Sequence, residues 1–289
     1  MARRFGVHRW GAAKALIPLN RLFIWLTGSC HMTRMISISV DSMFATLLIV
    51  AAALAAQPAR ADGLEDLREA LSKLRGTSVL KATVTAKVNA TVKEDSEKPR
   101  VEMGSASLAL EDGPQGLRLT YASDLLNKVS AERAARRKDS KAPAPIRSAM
   151  EELDYADLLS MTHAAPDLLR KLEGAQLKAE RKDSWNGVPA RVLSLELVVD
   201  KNQKYVKSSS SNLDVWIDAD GRPLASKAQS NVSGRALMVI SFEMKGTDDR
   251  VYSVLGDRLI VTRRDAANSG SGMGQSGDSK STVTLQPAS

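Results

Sequence analysis

From Leu80 to Lys93, apolar and polar side chains alternate almost without a break. Leu80, Ala82, Val84, Ala86, Val88, Ala90 and Val92 fall on one side, and Lys81, Thr83, Thr85, Lys87, Asn89, Thr91 and Lys93 on the other. Strand side chains point to opposite faces with period two, so the pattern predicts a half-buried antiparallel strand. At roughly 3.3 Å per residue it spans about 45 Å, against a radius of gyration of about 17 Å for one domain of this size. The strand is expected to curve, bulge or split. Its inward residues, mostly Ala and Val, leave a concavity for helices or a ligand to fill.

The same reading places the other elements. Asp62 to Leu74 predicts an amphipathic helix, with Asp62 as cap, Glu65 three residues on and Gly76 as stop. After the long strand and the polar turn 94–99, Val101 to Leu110 and Leu117 to Tyr121 predict two more strands around the turn EDGPQG. Between 123 and 174 the period becomes helical. Ser130 to Ala144 reads as a solvated linker or frayed helix, Pro145 and Pro166 as helix openers, Asp154 as a further cap and Gly174 as the close. Strands then resume at Gln176–Arg181, Arg191–Val199, Leu213–Ile217, a weak strand to Val232, Ala236–Lys245, and a hairpin of Val251–Leu255 with Leu259–Thr262. The Gly/Ser-rich stretch from Asn268 to Lys280 reads as flexible, with Thr282 to Leu285 as a last edge strand. The domain organisation expected is a leader over 1–61, a half-barrel domain over 62–264 with a helical insertion at 123–174, and a flexible tail over 265–289.

The leader changes the charge argument. Residues 43–56, MFATLLIVAAALAA, form an uncharged apolar run short for a membrane span and suited to a signal peptide. Arg34 precedes it and Ala59-Arg60-Ala61 gives a cleavage pattern, so cleavage is expected after Ala61. The stretch before Met32 fits an over-extended start, with Met32, Met35 or Met43 as the true one; a lipoprotein signal ending at Cys30 and an uncleaved anchor through 43–56 are the alternatives. Of the 41 basic residues seven lie in 1–61, with one of the 33 acids, so the remainder carries 34 against 32 and the net charge falls from +8 to +2. That balance argues against nucleic acid as a partner. The one cysteine, Cys30, also lies in the leader, which excludes thiolate metal sites, redox dithiols and a Cys nucleophile from the rest.

Few residues carry chemistry. His163 is the one histidine outside the leader, and spacing selects no Ser and Asp partners for it, so it reads as a capping or surface residue. Asp218-Ala219-Asp220-Gly221 opens like a calcium loop but lacks the remaining ligands, and a turn explains it. Gly272, Gly274 and Gly277 match GxGxxG without a following helix. No catalytic residue, metal ligand or cofactor is assigned. Trp216 falls on the wet face of its strand, where it either covers neighbouring Lys and Arg stems or meets a protein partner.

The element order and the phrases WNGVPARVLSLEL (185–197) and DVWIDADGRPL (214–224) resemble the LolA/LolB periplasmic lipoprotein-carrier superfamily over most of residues 62–264. The resemblance implies an α+β fold, a curved antiparallel sheet forming a half-barrel, with short helices packed on its concave face and an apolar space that receives acyl chains. It also implies a periplasmic or secreted, non-enzymatic protein whose partner is a lipid or an acylated lipoprotein. Lining candidates are Leu80, Val84, Val88, Leu108, Leu119, Met238, Ile240 and Phe242, each of which has an ordinary core role as its other reading. The alternative function is an envelope protein-interaction or scaffold module with a filled core.

Overall fold

A computed structural model describes residues 62–94, 98–199, 205–236, 240–272 and 274–288. The apolar run 43–56, the cleavage position at Ala61 and Met238 lie outside them. In chain order the elements are α1 (Gly63–Lys73), β1 (Leu80–Glu94), β2 (Arg100–Gly113), β3 (Gly116–Thr120), α2 (Ser123–Lys138), α3 (Pro145–Glu151), α4 (Tyr155–Thr162) and α5 (Ala164–Lys171). They continue with β4 (Gln176–Trp185), β5 (Val188–Glu196), β6 (Val206–Ile217), β7 (Pro223–Ala236), β8 (Ile240–Leu255), β9 (Arg258–Gly272) and β10 (Gln275–Pro287). The ten strands form one antiparallel sheet in the order β3-β2-β1-β10-β9-β8-β7-β6-β5-β4. The fold is α+β: a curved, unclosed antiparallel sheet with helices on its concave face.

β1 is a single 15-residue strand. It pairs with β2 and β10 without a register shift, so neither a bulge nor a split relieves its length. Its alternation sets the register of the sheet: Val84 stands opposite Leu108 and Leu285, and Ala86 opposite Ala106 and Val283. These side chains are buried in one core cluster with the inner residues of β5, β6 and β9.

Asp62 caps α1 by accepting from the Leu64 N–H at 3.1 Å, and Glu65 and Asp66 occupy the electropositive first turn. Leu64, Leu67 and Leu71 form its buried stripe. Past α1 the backbone is pinned to the β8–β9 turn: Gly76 N–H donates to Asp257 O at 2.8 Å and Leu259 N–H to Leu74 O at 3.1 Å.

The strands are longer than the hydrophobic pattern suggests. From Ile240 on, the expected strand Ala236–Lys245 is continuous with the expected Val251–Leu255 as one 16-residue strand, β8, irregular in register only between Val251 and Tyr252 on its β9 side; Ala236 ends β7, and 237–239 lie outside the described residues. The expected tail 265–289 is corrected more sharply, since it supplies the outer half of β9 and the whole of β10. β10 is no edge strand; it lies between β1 and β9, with ladder bonds on both sides. Ladder hydrogen bonds belong to the backbone, so a Gly/Ser sequence keeps its place in a sheet when both neighbours are present.

The chain leaves β3 at one edge of the sheet and re-enters it as β4 at the other, and α2 to α5 make that crossing. α3 packs on β1 and β2, α4 and α5 on β9, and α1 against α5 and β5. The expected linker 130–144 is helical to Lys138; Glu132 accepts from the Ile146 and Arg147 N–H groups at 2.9 and 2.8 Å, capping α3 from outside. Pro145 and Asp154 start α3 and α4 as expected, whereas α5 begins two residues before Pro166. Proline fits within the first turn because that N–H has no helical acceptor.

Candidate functional site

The concave face has two unlike halves. Beneath the helices, Leu80, Val84, Val88 and Leu108 are buried and Leu119 is partly buried against them. Leu158, Met161 and Leu168 from α4 and α5 belong to the same cluster, and Tyr252 is its one aromatic ring among the described residues. Toward the β9–β10 turn the face is uncovered: Val92 is 39% exposed and Met244 59%. Its floor there is small, with Gly270 opposite Gly277 and Met244, and Gly272 opposite Phe242.

The structure therefore separates the lining candidates. Leu80, Val84, Val88, Leu108 and Leu119 come together under the helices. Phe242 faces the same side of the sheet, but lies six residues beyond Asp248, the β8 residue in the same row as Val88. That is about 20 Å along the strand, outside the core cluster. Ile240 begins β8 opposite Ala236, beyond Phe242 from the helices. The physical reason is strand length: β8 carries apolar residues toward both ends and its charges in the middle, and Phe242 lies at the end away from the helices.

Those charges are the feature that the hydrophobic pattern missed. The buried Arg250 donates from Nη1 to Asp167 of α5 at 3.1 Å, and from Nε and Nη2 to the two oxygens of Asp248 at 2.9 and 3.1 Å. Arg264 of β9 joins Asp248 to Asp157 of α4, at 3.1 and 3.2 Å. Lys171 and Arg170 also reach Asp167, at 2.9 and 2.5 Å. Burial pulls the Lys171 ammonium below its ordinary value and Arg250 adds to this, against the pull of Asp167. Burial works against the Asp248 carboxylate, but Arg250, Arg264 and Lys171 outweigh it and hold the group below the usual carboxylate range. Burial pushes the Tyr252 phenol up to about 12, and its hydroxyl is 2.8 Å from Ser226 Oγ. The signal available in the sequence was Asp248 and Arg250 at i, i+2, which puts both charges on one face of a strand.

A second buried group joins three elements. Asp112 of β2 lies 2.9 Å from His163 Nε2, between α4 and α5, and 3.2 Å from Arg258 Nη1 at the start of β9. The Asp112–Arg258 pair has ion-pair distance without hydrogen-bond alignment. His163 thus sits beside a buried carboxylate, and the third member of its cluster is a guanidinium where a hydrolytic triad has a hydroxyl.

Trp216 packs on Trp185 with ring centroids 5.3 Å apart and donates from Nε1 to Asp183 at 3.2 Å. Asp183 is held below the usual carboxylate range by the Ser184 N–H and then by this indole. Asp218 accepts from the N–H groups of Asp220 and Arg222, each at 2.9 Å, as a turn requires. Among the described residues no His, Cys, Asp and Glu side chains converge in a group able to hold a metal, and no helix is long and apolar enough to cross a membrane.

No protein-family model and no curated protein matches the sequence. Among solved structures, a LolA superfamily protein from Nitrosomonas europaea aligns over 78% of this chain and 94% of its own, at 12% identity and a TM-score of 0.21.

Proposed function

We propose that this is an exported, non-enzymatic protein that binds a lipid, or the acyl chains of a lipoprotein, between the sheet and its helices. The carrying observation is the crossing helix layer. α2 to α5 run from one sheet edge to the other, and Leu158, Met161 and Leu168 of α4 and α5 join the sheet's apolar cluster beside the network of Asp157, Asp167, Asp248, Arg250 and Arg264. Aliphatic side chains and acyl methylenes are close equivalents as neighbours; each buried CH2 contributes about 0.8 kcal/mol. An acyl chain entering between the layers replaces one apolar contact by another, while the helices stay tethered at 121–122 and 172–175.

A second reading has its own support. Val84, Leu108 and Leu285 are fully buried, which is how a permanently filled core looks. In that reading the protein is an envelope scaffold that meets partners through its outer face, around Trp216 or the exposed Val101 and Met103.

Titration with a fluorescent fatty acid separates the two. The carrier reading expects saturable binding by the wild-type protein and at least a tenfold loss in a folded Val84→Trp variant, whose indole occupies the acyl space. Absence of wild-type binding contradicts it and favours the scaffold. Export is tested by N-terminal sequencing of the secreted protein, with Asp62 expected as the first residue.

A further inference from the structure

A groove of about 510 Å³ lies between α1 and α5, outside the acyl interface. Its cations are Arg68, Arg75 and Arg170, its acid is Glu173, and the half-buried Pro166 and Leu169 supply apolar surface. The arginines are poorly neutralised. Arg68 has one long ion pair, 3.7 Å to Glu65, and one long hydrogen bond, 3.5 Å to Leu172 O. The Arg75 guanidinium makes no ion pair or hydrogen bond among the described residues. Arg170 pairs with Asp167, but that carboxylate also serves Lys171 and Arg250, so one negative charge is divided among three cations.

From this geometry we infer that the α1–α5 groove docks the protein on a membrane surface by taking the phosphate of an anionic lipid headgroup. The guanidinium fork matches phosphate oxygens, and the aliphatic floor suits the glycerol and first methylenes that come with a headgroup. A small free anion fits less well: the Arg68 side chain is 39% exposed and that of Arg170 73%, so the site does not enclose its ligand or strip its water. Charge complementarity therefore favours a surface that offers many headgroups at once. The inference is independent of whether an acyl chain enters the sheet–helix interface.

The test uses protein expressed from the full chain, in co-flotation with vesicles of pure phosphatidylglycerol and of pure phosphatidylcholine, and in titration with inorganic phosphate. Binding to phosphatidylglycerol alone is expected, weakening as salt rises. Each basic residue near an anionic surface contributes about fivefold in affinity, so Arg68→Gln with Arg75→Gln is expected to lose about thirtyfold. Both side chains lie at the surface of the groove, so unchanged thermal melting checks that the variant is folded. Lys87→Gln with Lys93→Gln, on the outer face of β1, is expected to leave binding unchanged. No binding to phosphatidylglycerol overturns the inference, as does an equal loss in the lysine pair, which would mean unspecific attraction. Saturation by inorganic phosphate that also releases the vesicles would make the groove a free-anion site and likewise overturn membrane docking.

Discussion

Asp248 accepts from two arginines at once, and its depressed pKa has a consequence for stability. Burial raises that pKa, but Arg250, Arg264 and Lys171 together lower it further. Asp265 is lowered chiefly by its hydrogen bond from Arg263, with Thr282 adding to it. A carboxylate whose folded pKa lies below its unfolded value contributes stability that is fully present above about pH 4 and is lost as pH falls through the folded value. The urea midpoint is therefore expected to hold from pH 7 to pH 5 and to fall below pH 4, and Asp248→Asn should flatten that acid limb. Asp112 makes a stronger case, because its removal leaves Arg258 charged and buried. Asp112→Ala is expected to cost about 3–5 kcal/mol in urea unfolding. Beyond Asp248 and Arg250 at i, i+2, the partners in these groups were not legible in the sequence. A lone His and scattered acids have no spacing that reveals pairing across 51 residues in one case and 83 in the other; register and helix placement create the pairs.

Elements differed in how much of them the sequence carried. α1 and β1 follow from their own patterns, since the cap, the leucine stripe and the alternation are all local. β9 and β10 do not, because glycine and serine contribute little burial and their strand state depends on neighbours at both sides. The helix layer has a local marker of its own at Gly104, where a Cβ would run into the Pro145 carbonyl. Gly104→Val should force α3 away from β2 and cost about 1–3 kcal/mol by overpacking, read as a lowered urea midpoint with faster hydrogen exchange in α3. Asp167 ties α5 to β8, and Asp167→Asn is expected to lower stability by about 1–3 kcal/mol. If the helices must leave the sheet for an acyl chain to enter, the same change enlarges the binding-competent fraction and tightens apparent fatty-acid affinity. Lower stability with tighter binding would distinguish a latch from a simple packing contact.

At the scale of the whole molecule, the sheet's two edges explain the layout better than any single strand. The first and last strands of the meander meet in its middle, as β1 beside β10, and the helix insertion spans the distance between β3 and β4. The fold class was legible because alternation and helical period were each clear over their own stretches. The grouping of lining residues was legible only in part: five of the candidates gather beneath the helices, while Phe242 belongs to the open half of the face. Native mass spectrometry of protein expressed from the full chain and isolated from a bacterial periplasm, followed by organic extraction, tests acyl binding most directly. A lipid adduct at near-stoichiometric amounts is expected. A clean apo mass, from protein that also ignores fluorescent fatty acids, would contradict it.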